Sequence, residues 1–197
     1  MKTIYLVRHG QKQPDPGDPG LTDLGVKQSI QTGEFLKNLK INQVISSPFK
    51  RTLETAKNIS SVLNIQYQIS DQLVERMNWE GGSVAKEEFQ IEWNKATNDR
   101  NYQPKFGNSS KETGNRIEQF TNNLQDNSSI ILVTHGGAIM DYVRNFTEDK
   151  KIAHLKVVYK NGEDYTLANC AIFKVVISKS PKLELINYTN HLSSPTT

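Results

Sequence analysis

The chain of 197 residues carries a single cysteine, Cys170. It cannot close an internal disulfide, and that usage suits a reducing cytoplasm. Long apolar runs are missing as well: none approaches the roughly 18 residues that a membrane-spanning helix needs. The chain opens Met1-Lys2-Thr3 and enters an apolar run at once, so neither a signal peptide nor membrane contact is expected. Strong charge of either sign is lacking. A formal net charge of +3, dispersed along the sequence, gives no footprint for nucleic acid and leaves room for a local basic pocket that binds an anion. The four histidines are scattered, and none has the spacing of a zinc site, so no metal is expected. No internal repeat and no break in composition appears. Residues 1–197 are therefore expected to form one domain with a sizeable core.

What the chain does have is apolar strands that end in polar residues. Ile4-Tyr5-Leu6-Val7 reads as a strand buried on both faces, of the kind found in parallel sheets. It stops in Arg8-His9-Gly10, because burying a guanidinium and an imidazole in a sheet interior is costly. Gly10 is expected to let the backbone turn and a ligand approach closely. Residues 11–20 hold three prolines and two glycines and form a loop. A helix follows with Thr22 as N-cap, running to about Leu39, with Ile30, Phe35, Leu36 and Leu39 on its apolar face. Val44-Ile45 is a second strand, ending in Ser46-Ser47-Pro48. Ser47 and Pro48 have the chemistry of N-cap and first helical residue for a helix to about Leu63. A short strand is expected near Tyr67–Ile69.

Residues 73–82 read as an irregular loop, Lys86 to about Ala96 as a helix, and 98–110 as a loop. A helix is expected from Lys111 to about Leu124, with Ile117, Phe120 and Leu124 on one stripe. Ile130–Val133 is a third buried strand, ending in Thr134-His135-Gly136, before a helix from about Ala138 to Phe146. Further strands are expected at Leu155–Tyr159, Tyr165–Leu167, Ala171–Ile177 and Leu183–Tyr188, around an Asn161-Gly162 turn. The tail from Asn190 is expected to fray.

Three strand tips thus carry Arg8-His9, Ser46-Ser47 and Thr134-His135. Open α/β sheets bind ligands at the carboxyl ends of their strands. Alternating strands and helices place those tips on one edge, so Arg8, His9, Arg51 and His135 can meet. Helix N-termini behind two of the tips add N–H donors. The assembly suits a phosphoryl group.

The motifs Leu6-Val7-Arg8-His9-Gly10, Leu21-Thr22-x-x-Gly25, Ser46-Ser47-Pro48-x-x-Arg51-x-x-Glu54-Thr55-Ala56, Glu75 with Trp79-Glu80-Gly81, and Val133-Thr134-His135-Gly136-Gly137 stand in this order along most of the chain. In this the sequence resembles the histidine phosphatase superfamily, the phosphoglycerate mutase-like proteins. The resemblance implies an α/β fold: a three-layer α/β/α sandwich with a mostly parallel sheet and an antiparallel edge. It also implies catalysis on a small phosphorylated substrate through a phosphohistidine, with no cofactor. His9 would be the nucleophile. Arg8 and Arg51 would grip the phosphoryl oxygens with forked donors. His135 would donate to the same oxygens. Glu75 would act as general acid and then base, with Glu80 as a nearby rival. Gly136, Thr22 and Arg76 would complete the substrate contacts, although a surface role fits Arg76 equally.

Bland readings stand beside these. Arg51 could simply pair with Glu54 one turn on. Trp79 and Trp93 read as packing residues, Cys170 as a small buried hydrophobe, and His154 and His191 belong to no constellation. The sequence also departs from the family pattern. Lys12 stands where many members have Ser or Thr, Pro14-Asp15 replaces a Trp-Asn pair usual in mutases, and Gly107-Asn108-Ser109 replaces Gly-Glu-Ser. The expected activity is a metal-independent phosphomonoester hydrolase. The alternatives are a phosphoglycerate mutase and a non-catalytic phospho-ligand-binding protein.

Overall fold

The computed structural model describes residues 1–152, 158–160, 163–165 and 167–193. The chain runs through β1 (Lys2–Arg8), α1 (Asp23–Leu36), β2 (Gln43–Ser46), α2 (Lys50–Leu63), β3 (Tyr67–Ile69) and a 3-10 turn at Asp71–Leu73. It continues with α3 (Lys86–Asn98), α4 (Ser110–Asn122), β4 (Ser129–Thr134), α5 (Gly136–Val143) and α6 (Asp149–Ile152). It ends in β5 (Val158–Lys160), β6 (Glu163–Tyr165), β7 (Ile172–Ile177) and β8 (Pro181–Tyr188).

Six strands form one sheet in the order β3-β2-β4-β1-β7-β8. The first four are mutually parallel, and β7 and β8 add the antiparallel edge. Side chains alternate across a strand, so a run apolar at every position must be covered on both faces. That is how β1 and β4 are placed. Ile4, Leu6, Ile130 and Leu132 pack toward α3, α4 and α5 through Trp93, Ile117 and Ile139. Tyr5, Val7, Ile131 and Val133 pack toward α1 and α2 through Leu36, Ala56 and Ile59. The three-layer α/β/α arrangement follows. Among the described residues no helix is long and apolar enough to cross a membrane.

Several elements differ from expectation. α1 stops at Leu36, and Ile30 is 42% exposed instead of facing the core. Its buried face carries Gln28, Ser29, Thr32 and Gly33. Small residues let α1 sit close to α2, and hydrogen bonds satisfy the hydroxyls: Asn58 Nδ2 donates to Ser29 Oγ (2.7 Å) and Thr32 Oγ1 to the Gln28 carbonyl (2.8 Å). α2 starts at Lys50 with Phe49 as N-cap, two residues later than the Ser47-Pro48 signal. Its first N–H is accepted by the Asp18 carboxylate from the proline-rich loop, at 2.8 and 3.0 Å. α4 begins under a capping box of Ser109 and Glu112.

β5 and β6 form a separate two-stranded ribbon with Lys160 opposite Glu163. The Asn161-Gly162 turn, His154 and residues 155–157 lie outside the described residues. The chain near the described C-terminus is packed, with the His191 ring stacked on Phe35 and Tyr188.

Candidate active site

Parallel register builds the centre of the site. Arg8 pairs with Thr134 across β1 and β4, and His9 N donates to the Thr134 carbonyl at 3.0 Å. His9 and His135 are therefore the next residues on two neighbouring strands, and their rings meet edge to face with centroids 5.5 Å apart. β2 lies on the other side of β4, and Ser47 N donates to Val133 O at 3.0 Å. One turn beyond, α2 carries Arg51 into the same space. Arg8, His9, Arg51, Glu75, His135 and Gly136 all line one cavity of about 310 Å³.

Burial governs the protonation of both imidazoles. Burial first, then the charges of Arg8 and Arg51, hold His9 well below the usual histidine range. Its ring is thus neutral near pH 7. His9 Nδ1 lies 2.8 Å from the Gly10 carbonyl. A carbonyl can only accept, so Nδ1 carries the proton and Nε2 keeps its lone pair. Burial likewise pushes His135 well down, with Arg51 the next cause. His135 Nε2 is 2.8 Å from Ser47 Oγ.

Arg51 is 4% exposed. Burial lowers its pKa, opposed chiefly by Glu75 and Asp18, and the group stays a cation. Its Nη2 donates to Asn78 Oδ1 (3.2 Å), its Nη1 lies 3.5 Å from Asp18, and its plane sits over the Phe49 ring at 4.6 Å. Glu54 instead accepts from Leu21 N at 2.6 Å, so pairing within α2 does not account for Arg51. Arg8 donates to the Leu167 carbonyl.

Glu75 reaches the cavity from the segment after the 3-10 turn. That segment is tied to the sheet by Thr134 Oγ1, which donates to Leu73 O at 2.6 Å. The Glu75 carboxylate accepts from Arg76 N and from Gly137 N, both at 2.9 Å. A side chain at Gly137 would place its Cβ 2.6 Å from Glu75 Oε1, so the second glycine after His135 leaves room for the acid. Glu80 is exposed and is not among the cavity-lining residues. It accepts from Asn78 Nδ2 at 2.6 Å.

Three expectations need correction. Arg76 is 2% exposed and points into the interior, away from both substrate and surface. It bonds Asp141 at 3.0 Å and Thr97, and stacks on Trp93 at 4.0 Å. Its desolvated charge requires that partner, and burial pushes Asp141 up to about 6 even so. Thr22 does not line the cavity; its Oγ1 caps α1 at Gly25 N (3.0 Å) and donates to Gln11 Oε1 (2.8 Å). Gly10 serves helix packing in place of ligand approach. A Cβ there would lie 2.5 Å from Gly25 O, and one on Gly25 would lie 2.1 Å from Gln11 O. The two glycines let the start of α1 press against the tip of β1.

Sequence reasoning did not find the rest of the wall. Lys12, Asp15 and Gly17 contribute from the first loop, Asn78 from the later one, and Lys86 and Phe89 from the first turn of α3. Trp79 and Trp93 also line the cavity while packing on the core. The two loops are knitted together: Asn78 Nδ2 donates to Gly17 O (3.0 Å) and Gly17 N to Trp79 O (2.8 Å). No local signal announced these contacts. Cys170 is buried as expected, its thiol pushed up to about 12 by burial.

A buried pair of neutral imidazoles, two guanidinium groups and a carboxylate at parallel strand tips defines a site suited to a phosphoryl group. The sequence pattern described as Histidine phosphatase superfamily (branch 1) matches residues 4–185, and the chain belongs to that superfamily. It is 28% identical over 199 aligned residues to the protein named "Probable phosphoglycerate mutase GpmB" from Proteus mirabilis, covering 93% of this chain and 88% of that protein. Among solved structures, a phosphoserine phosphatase mutant from Entamoeba histolytica in complex with phosphoserine shares the fold at a TM-score of 0.72 and 22% identity, over 98% of this chain and 100% of that one. The mycobacterial glucosyl-3-phosphoglycerate phosphatase with inorganic phosphate gives a TM-score of 0.72 and 20% identity, over 98% and 100%.

Proposed function

We propose that this chain is a cytoplasmic phosphomonoester hydrolase, residues 1–197 acting as one domain, which works through a phosphohistidine without a metal. The observation that carries the reading is His9: a neutral buried ring with Nδ1 bound to the Gly10 carbonyl and Nε2 left as a lone pair, in a cavity shared with Arg8, Arg51, His135 and Glu75. In the first step Nε2 attacks phosphorus and the P–O ester bond breaks, while Glu75 gives its proton to the leaving oxygen. In the second step the Glu75 carboxylate takes a proton from water, the oxygen attacks phosphorus, and the P–N bond breaks to release orthophosphate. Arg8 and Arg51 hold the equatorial oxygens with planar donors, and His135 and the Gly136 N–H add hydrogen bonds where charge builds up.

The mutase reading draws support from the likeness to the Proteus mirabilis protein. It would hold a more highly charged bisphosphate and needs more cations near the pocket. Arg76, the residue that matches the mutase pattern, is committed to Asp141 in the core. That commitment favours the hydrolase. The test is the fate of 3-phosphoglycerate with catalytic 2,3-bisphosphoglycerate, beside turnover of p-nitrophenyl phosphate. Phosphate release with little 2-phosphoglycerate supports the hydrolase. Fast isomerisation with negligible phosphate release makes the chain a mutase. No turnover of either makes it a phospho-ligand-binding protein.

A further inference from the structure

Ser47 lies in the cap-like Ser46-Ser47-Pro48 stretch, but its hydroxyl caps nothing. α2 takes its N-terminal acceptor from Asp18, and Ser47 Oγ lies 2.8 Å from His135 Nε2. Its backbone is pinned on both sides. Ser47 N donates to Val133 O at 3.0 Å, and Ser47 O accepts from the Ser46 and Thr52 hydroxyls, each at 2.8 Å. The side chain is fully buried. The His135 ring is bounded by Phe49 at 5.2 Å and His9 at 5.5 Å, both edge to face. Its other nitrogen, Nδ1, is buried and has no hydrogen-bond partner.

A neutral imidazole has one N–H and one lone pair. With the proton on Nδ1, His135 can donate to a phosphoryl oxygen while Nε2 accepts from the Ser47 hydroxyl. With the proton on Nε2, the Nδ1 lone pair would face the phosphoryl oxygens and repel them. We propose that Ser47 is a positioning residue that donates to His135 Nε2, and so holds the His135 proton on Nδ1, ready for the phosphoryl group. The proposal rests on the phosphohistidine reading above. It also distinguishes the two histidines: His9 keeps its proton on Nδ1 through a carbonyl and turns Nε2 to phosphorus, whereas His135 keeps its proton on the same atom through a hydroxyl and turns the N–H itself to oxygen.

The test is nitrogen-15 NMR of histidine-labelled protein, with and without inorganic phosphate, on wild type and Ser47→Ala. Wild type should show His135 protonated on Nδ1 in both conditions. Ser47→Ala should lose that preference, and its kcat on p-nitrophenyl phosphate should fall about 10- to 100-fold with KM little changed. A His135 proton on Nε2 in wild type overturns the proposal, whether or not the variant folds. So does a folded Ser47→Ala with wild-type tautomer and a rate within threefold. Absence of all phosphatase turnover in wild type counts against the hydrolase reading alone, and the tautomer still decides the role of Ser47.

Discussion

Arg8, His9 and His135 stand at the tips of β1 and β4, fixed by the ladder between two central strands. Lys12, Trp79 and Lys86, which line the other end of the same cavity, come from loops and the first residue of a helix. The inner end is buried and carries neutral rings beside guanidinium groups. The outer wall mixes aromatic faces with lysines, and Lys86 is exposed. A ladder residue can shift only if the whole sheet shifts, so the inner end is suited to one invariant group. The wall is held by contacts such as Asn78 with Gly17, which a sequence can exchange without disturbing the core. On the proposed function, the sheet would hold the phosphoryl group and the loops would select the substrate body.

The sharpest way to break this contrast is at its centre. His9→Ala should lower turnover by at least about 10⁴-fold with unchanged circular dichroism, and acid quench should trap no base-stable phosphoryl group. Near-normal turnover would sink the nucleophile assignment. Glu75→Gln should cost about 10²- to 10⁴-fold, while Glu80→Gln at the outer margin should leave the rate within threefold. The reverse pattern would move the acid to Glu80. Arg51→Lys keeps the charge and loses the fork, and should cost about 30- to 1000-fold. A change below threefold would mean that Arg51 only ties the loops together through Asp18 and Asn78.

The buried rings also leave a signature in stability. His9 and His135 sit well below the usual range, and burial takes His191 to about 4. Below about pH 6.5 the unfolded chain binds protons that the folded chain refuses. Stability is thus full above that pH and falls as pH drops, by about 1.4 kcal/mol per unit for each of His9 and His135, and by less for the partly exposed His191. Asp141, pushed up to about 6, acts in the opposite sense from about pH 6 to about pH 4 and offsets roughly one histidine. The urea midpoint should therefore fall between pH 7 and pH 5. A flat or rising midpoint would show that the rings are charged in the folded state. The smallest effect belongs to the wall. Lys86→Ala should change kcat/KM for p-nitrophenyl phosphate by no more than about fivefold, and a loss matching Arg51→Lys would erase the contrast.

The elements that were legible are those whose signal is local. The apolar runs of β1 and β4 mark strands covered on both faces, and Thr22 caps α1 as its chemistry requires. The Ser46-Ser47-Pro48 stretch misled for the opposite reason. Its hydroxyl had the right chemistry for a helix N-terminus, but a carboxylate from residue 18 took that place. Ile30 misled because helix packing on small residues turned the buried face of α1 toward Gln28 and Thr32. Arg76 was legible as a cation beside the acid, and nothing local says that Asp141, far along the chain, withdraws it into the core.

Sequence alone determined which side chains gather at one edge of the sheet, because a strand must end where a charge appears and a parallel sheet collects its strand tips on one edge. Tertiary structure alone decided how they are wired. Which nitrogen of His9 stays free depends on a carbonyl 2.8 Å away, and the partner of His135 depends on the placing of β2 beside β4. Whether Arg76 serves substrate or core depends on a carboxylate from α5. Such pairings are made at hydrogen-bond distance between residues remote in the chain, where no periodicity or local propensity can register them.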